Sequence, residues 1–90
     1  MDDEPYLIKP TSRARRDIGL LPEAMAWACL AFIAGPLAEN PQRVGKALGP
    51  PFAGMHSARR GSYRVIYGFD EEGHAVQILH VDHRANVYRP

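Results

Sequence analysis

The sequence predicts an α+β fold with elements in the order β-α-α-β-β-β. Apolar residues recur at helical spacing between residues 12 and 39, and they alternate with polar residues in the last third of the chain. A short β-prone run precedes both regions. Because the helices are separated along the chain from most strands, we expect a mainly antiparallel sheet with a helical hairpin packed on one face.

The first two elements are a short strand, "PYLIKPT", and the helix "SRARRDIGLL". Thr11 or Ser12 can cap this helix by accepting a hydrogen bond from its first turn. Ala14, Ile18 and Leu21 share one face, which we expect to pack inward. Three arginines then point outward: Arg13, Arg15 and Arg16.

The second helix begins at Pro22, since a missing N–H costs nothing at the first helical position. Gly35 and Pro36 must end, kink or restart it. Trp27 fits either a core residue or an exposed one, because many alanines leave the helix weakly amphipathic. The apolar stripe predicted to face the core contains Met25, Ala26, Cys29, Leu30, Phe32, Ile33 and Leu37. Within it, Cys29 is expected to be a buried small hydrophobe.

Residues 40–54 are rich in proline and glycine and are predicted to form a loop. Its Gly45-Lys46 pair lacks the spaced glycine and the following Ser or Thr of a nucleotide-binding P-loop. No acidic residue occurs between Asn40 and Phe69. The same interval carries Arg43, Lys46, Arg59, Arg60 and Arg64. This charge pattern fits a solvated basic face or a phosphate-binding surface.

The last third contains three β runs, "MHSARRG", "SYRVIYGFD" and "HAVQILHVD", separated by glycine-containing turns. In the middle run, strict alternation places Tyr63, Val65, Tyr67 and Phe69 on the face that packs against the helices. Arg64 falls on the opposite, open face of a central strand. It can pair there with Asp82 or Glu72, or it can bind an anion.

The histidines are scattered. His80 alternates with Val76 and Ile78, so we expect it on the core face. His56 can approach Arg64 across a hairpin. His83 can be an acid, a base, an orienting group or a plain strand-end residue. No His, Cys or acidic residues show metal-ligand spacing, so neither a metal nor another cofactor is expected.

The length of 90 residues predicts one domain, residues 1–90. The acidic start, "MDDE", is unlike a secretion signal, and the longest uncharged run is too short to span a bilayer. The single cysteine cannot form an internal disulfide. We therefore expect a cytoplasmic protein that does not enter a membrane.

Four segments together carry a family resemblance. They are Gly45-Lys46-Ala47-Leu48, residues 54–59, the strand of residues 61–67 with its "YRVIY", and the terminus "VDHRANVYR". In this combination the chain resembles the RelE branch of the RelE/ParE toxin superfamily. The resemblance covers nearly the whole chain and implies a RelE-like, microbial RNase-like fold.

The resemblance implies an activity as well as a fold. Such a toxin cleaves messenger RNA in the ribosomal A site by attack of a 2′-hydroxyl, without a metal. A small antitoxin protein neutralises it, and operator DNA is bound indirectly through that antitoxin.

Site residues follow from the same resemblance. Arg64 and Arg84 match the family's catalytic arginines, Tyr88 matches its C-terminal tyrosine, and His83 belongs to the same motif. The strand before Arg64 carries lysines in the best-known members, but here those positions hold Met55 and Ser57. Phosphate-binding charge is then expected from Arg59, Arg60, Lys46 and Arg43, and ribosomal RNA contacts from Arg13, Arg15 and Arg16.

Two alternatives remain open at the level of sequence. A ParE-like toxin that poisons DNA gyrase shares the fold and generally lacks the arginine–tyrosine site. An inactive member would only bind its antitoxin and act as a corepressor.

Overall fold

The computed structural model describes residues 4–83 and contains one five-stranded sheet. The strands are β1 (Leu7–Pro10), β2 (Lys46–Ala47), β3 (His56–Arg60), β4 (Tyr63–Asp70) and β5 (Ala75–His83). The helices are α1 (Ser12–Gly19), α2 (Glu23–Phe32) and α3 (Pro41–Val44). The strand order is β1-β5-β4-β3-β2. The predicted α+β class is confirmed.

The sheet is mixed rather than wholly antiparallel. Strands β2 to β5 form antiparallel neighbours, but β1 pairs with β5 in parallel, with Leu7 opposite Ala75. The segment between β1 and β5, which includes helices α1 and α2, carries the chain back across the sheet. As a result, β5 lies beside β1 and runs in the same direction. A four-residue run gives no sequence signal for its pairing partner.

Helix α1 begins where the sequence predicts. The Thr11 backbone is extended and its Oγ1 accepts a hydrogen bond from the Ala14 N–H at 3.0 Å. Ala14 is fully buried and Ile18 packs against the core, as expected for the inward face.

Helix α2 differs from the expectation in three details. Pro22 is its N-cap rather than its first helical residue. After Phe32 the helix continues through a π-helical turn, Ile33–Leu37, which contains Pro36. A wider turn accommodates a proline that cannot donate a backbone hydrogen bond. Leu30 lies 42% exposed, outside the buried stripe, and Trp27 is 66% exposed.

The core lies between the helices and one face of the sheet. Tyr63, Val65 and Tyr67 are buried there and Phe69 packs at its border, which confirms the alternation predicted for β4. Cys29 is fully buried, and burial raises the pKa of its thiol to about 11. The thiol therefore stays protonated at neutral pH and behaves as a small apolar side chain. Within residues 4–83, no helix has the length and hydropathy required to cross a membrane.

The predicted loop of residues 40–54 contains two short elements, α3 and β2. Tyr67 Oη donates a hydrogen bond of 2.7 Å to the Pro41 carbonyl and so ties α3 to the centre of the sheet. Burial raises the pKa of Tyr67 to about 12, which keeps its hydroxyl available as a donor. Gly45 then passes so close to β3 that a Cβ would lie 2.8 Å from the Ser57 carbonyl oxygen.

The close approach of Gly45 predicts the effect of adding one methyl group. In Gly45→Ala, the new Cβ would also meet Tyr67 Oη at 2.5 Å, so β2 must move away from β3. We expect a loss of about 1–3 kcal/mol in the free energy of unfolding, measured by urea denaturation. Gly49→Ala is the matched control, because its Cβ meets no atom within 4 Å. Equal stabilities of the two variants would contradict this account.

Candidate functional site

The face of the sheet opposite the helices carries two rows of aligned side chains, and we call it the open face. One row runs Lys46, Ser57, Ile66 and His80 across β2, β3, β4 and β5. The next row runs Arg59, Arg64 and Asp82 across β3, β4 and β5. Directly opposed residues in antiparallel strands point to the same side, so the register places these side chains on one surface.

A β-bulge in β5 determines which residues reach the open face. Ile66 pairs with His80, whereas the next residue, Tyr67, pairs with Ile78, so Leu79 is an extra residue. Beyond the bulge, Val81 turns into the core and His80 turns outward. The expectation that His80 shares the core face of Ile78 is therefore wrong. An inserted residue reverses the alternation of a strand, and no turn or glycine in the sequence signals this one.

Helix α1 holds the bulged part of β5. Thr11 Oγ1 donates to the Leu79 carbonyl at 2.9 Å, and Asp17 Oδ2 accepts from the Val81 N–H at 3.0 Å. These side chains satisfy backbone groups on the edge that β1 no longer covers. Asp17 Oδ2 also lies 3.7 Å from Arg13 Nε, which directs this arginine toward the open face.

The open face contains a groove of about 500 Å³. Its lining combines two guanidinium groups and an imidazole with apolar side chains from the β2–β3 connection and the strands. These residues are Arg13, Leu48, Phe52, Met55, Ser57, Arg64, Ile66, Leu79 and His80. We call this cavity the open-face groove. Phe52 is 55% exposed at its margin, so an aromatic surface is available to an entering ligand.

Arg64 is the predicted site residue that the structure places most clearly. It is half-buried on β4 and lines the groove. Arg59 lies directly opposite it on β3. Asp82 lies opposite on the other side, but Asp82 Oδ1 approaches His80 Nδ1 at 3.1 Å. Arg59 and Arg64 are like charges in directly opposed positions, which destabilises a sheet. An anionic ligand bound between them would offset this repulsion.

The other expected phosphate-binding residues divide between the two faces. Lys46 shares the row of Ser57 and His80 on the open face. Arg60 does not join it: its Cζ lies 4.5 Å from the centre of the Phe32 ring on the helix side. Arg43 lies exposed on α3. Met55 and Ser57, which stand at the positions of the family's lysines, both line the groove.

Four further predicted residues lie away from the groove. His83 is opposite Tyr63, whose side chain is in the core, so it projects from the other face than Arg64. His56 stacks on Tyr67 and packs at a tilt against Phe69 on the core side. Arg15 borders a separate apolar hollow with Ile8 and Leu30. The exposed Arg16 lies in the last turn of α1. Arg84 and Tyr88 lie outside the described residues.

Within residues 4–83, no group of three or more His, Cys, Asp or Glu side chains is placed to hold a metal ion. The side chains that line the groove supply guanidinium groups, an imidazole and an apolar surface. Such a combination is suited to a ligand that carries both phosphate and aromatic parts.

The chain is thus a small α+β protein that carries a basic, partly apolar groove on the open face of its sheet. Residues 8–88 match the family described as ParE toxin of the type II toxin–antitoxin system, parDE. "Toxin RelE" of Mycobacterium tuberculosis is 49% identical over 88 residues, covering 98% of this chain and 91% of that protein. "Toxin RelG" of the same organism is 48% identical over 85 residues, 94% and 98% of the two chains. The chain belongs to the RelE/ParE family of type II toxin–antitoxin toxins.

Solved structures agree with this assignment. The toxin–antitoxin complex RelBE2 from Mycobacterium tuberculosis includes a chain with a TM-score of 0.88 and 48% identity, covering 93% of this chain and 99% of that one. The isolated Escherichia coli RelE toxin has a TM-score of 0.70 at 20% identity, covering 92% and 90%. At that identity the likeness shows a shared fold.

Because Arg59 lies directly opposite Arg64, we expect that replacing one of them makes the protein more stable rather than less. Arg59→Gln removes the repulsion with Arg64, so we expect the free energy of unfolding to rise by about 0.2–1 kcal/mol at low salt. The gain should shrink at high salt, where exposed charges are screened. Urea denaturation at two salt concentrations measures both effects.

Arg60→Gln is the matched comparison on the neighbouring residue. It removes the contact with the Phe32 ring, so stability should fall by about 0.5–1 kcal/mol. A loss of stability in Arg59→Gln at low salt would show that the two guanidinium groups do not repel each other in the folded protein.

Proposed function

We propose that this toxin is a ribosome-dependent endoribonuclease that cleaves messenger RNA in the A site by attack of a 2′-hydroxyl, without a metal ion. The observation that carries the proposal is the open-face groove, in which Arg64 and Arg13 meet an apolar lining. The family assignment and the two RelE-named relatives support the same activity. On this proposal the protein acts in the cytoplasm, where translation takes place.

The groove supplies what the reaction demands at the phosphate. Negative charge develops on the phosphoryl oxygens as the 2′-oxygen attacks, and cations held in place stabilise it. A guanidinium can hold two oxygens at once and stays charged at every relevant pH. Arg64 lies on the central strand β4, Arg59 lies directly opposite it on β3, and Lys46 lies on β2 on the same face of the sheet. These two cations take the place of the family's lysines.

The groove also supplies a surface for the base. Phe52, Leu48 and Met55 line it on the side of the β2–β3 connection. Stacking of a base on an aromatic side chain contributes about 1–3 kcal/mol to binding. Tyr88 and Arg84 complete the proposed site from the C-terminal segment. Arg15, Arg16 and Arg43 are proposed to contact ribosomal RNA through its phosphates, independently of sequence.

A ParE-like activity is the second candidate, because the matching family is described by the ParE toxin. Mapping of transcript ends in cells that express the toxin separates the two. Cuts within translated codons support RNA cleavage, whereas a DNA-damage response without cuts supports gyrase poisoning. Binding to an antitoxin with neither response supports the inactive corepressor.

Growth arrest on expression tests the proposed site. Arg64→Ala removes the central phosphate-binding cation and Tyr88→Ala removes the C-terminal phenol, so both variants should relieve the arrest. Lys9→Ala is the control, because Lys9 is an exposed cation on β1, at the far edge of the sheet. Full toxicity of both folded site variants would show that this is not the active site.

We further propose that a cognate antitoxin covers the exposed apolar side chains of α2 and couples the complex to operator DNA. Trp27 and Leu30 are exposed there, and a similar toxin has been solved in the RelBE2 complex. On antitoxin binding, the fluorescence of Trp27 should shift to shorter wavelength, since its ring leaves water. An unchanged spectrum in a stoichiometric complex would place the antitoxin elsewhere.

A further inference from the structure

We propose that His80 is the general base of this toxin and that Asp82 positions its ring. The inference rests on the proposed ribonuclease function and assigns the proton acceptor within the same groove. His80 reaches the open face only because of the bulge at Leu79. It lines the groove together with Arg64.

The contact between His80 and Asp82 sets the roles of the two ring nitrogens. The two residues lie two positions apart on β5, and Nδ1 of the imidazole lies 3.1 Å from Asp82 Oδ1. Nδ1 is buried, whereas a quarter of the side chain is exposed. On this proposal Nδ1 donates to Asp82 Oδ1 in the RNA complex, which leaves Nε2 as the proton acceptor toward the groove.

The alignment of this pair is incomplete in the free protein. The Nδ1–Oδ1 distance is short enough for a hydrogen bond, but the orientation is not that of one. Asp82 is one-third exposed, so a rotation of its carboxylate completes the bond once RNA excludes water. Catalytic hydrogen bonds commonly tighten in this way when substrate binds.

The proton balance of the step is as follows. Nε2 of His80 takes the proton of the 2′-hydroxyl while the 2′-oxygen forms a bond to phosphorus. The bond from phosphorus to the 5′-oxygen breaks, and this oxygen takes a proton from water. The products are a 2′,3′-cyclic phosphate and a 5′-hydroxyl, and the imidazolium neutralises the hydroxide that remains. Arg64 faces the phosphoryl oxygens throughout.

Single-turnover cleavage on ribosomes programmed with messenger RNA tests the proposal with the full-length toxin. His80→Gln should slow cleavage by about 100-fold or more, the typical contribution of a general base, and leave ribosome binding unchanged. His74→Gln is the control, because His74 lies at the other end of β5 and stacks on Tyr6. Thermal unfolding checks that each variant is folded.

Two readouts separate a base from a merely structural histidine. Added imidazole should restore part of the cleavage by His80→Ala. A general base acts in its unprotonated form, so the wild-type rate should increase with pH, and His80→Gln should lose this dependence. The charged groups near the ring are Asp82 on β5, Arg64 on β4 and Arg13 on α1. In Asp82→Asn the side chain no longer favours a proton on Nδ1 of His80, so cleavage should slow by about 10-fold.

The possible failures are distinguishable. If the wild-type toxin does not cleave, both the ribonuclease function and the role of His80 are wrong. If the wild type cleaves, Arg64→Ala does not, and folded His80→Gln is as fast as wild type, only the assignment of His80 is wrong. If cleavage is much slower in His83→Gln but not in His80→Gln, the base lies on the other face of β5.

Discussion

The extra residue at Leu79 is the constraint on which the site depends. It reverses the alternation of β5 halfway along the strand, so Val76, Ile78 and Val81 all face the core. His80 is thereby released to the open face. Bulges are found beside active sites because they redirect a side chain without interrupting the sheet.

Helix α1 is what makes the bulge tolerable. Past the end of β1, no strand within residues 4–83 pairs with β5 on that edge. The Thr11 hydroxyl and the Asp17 carboxylate pair with it instead. The same Asp17 carboxylate pairs with Arg13, so one residue links the edge of the sheet, the helix and the margin of the groove. The N-terminal half of the chain thus organises a site whose main residues come from the C-terminal half.

The opposite face of the sheet is organised around Tyr67. Its hydroxyl reaches the Pro41 carbonyl beneath the chain, where Gly45 leaves room for it. This contact fixes the position of β2 and hence of Lys46 beside Ser57. Packing in the core therefore determines the position of Lys46 on the open face. Arg59 and Arg64 lie directly opposite each other on that face, and like charges in this arrangement destabilise a sheet.

The sequence was sufficient for features that obey a regular period or a local signal. The alternation of β4, the Thr11 cap and the open-face position of Arg64 all follow from neighbouring residues. Local patterns do not predict three other features, because these depend on contacts between distant segments. They are the parallel pairing of β1, the π-helical turn at Pro36 and the bulge. The bulge mattered most, because it exchanged the expected faces of the two histidines near the end of β5.

Nuclear Overhauser contacts of the His80 ring in solution test whether the bulge at Leu79 turns this ring to the open face. If it does, the ring contacts Ile66 and the Arg64 side chain, while Val81 contacts Val65 across the core face. Contacts from the ring to Tyr67 or Val65 would mean that β5 alternates regularly. Such a result would remove the histidine from the groove and contradict the account.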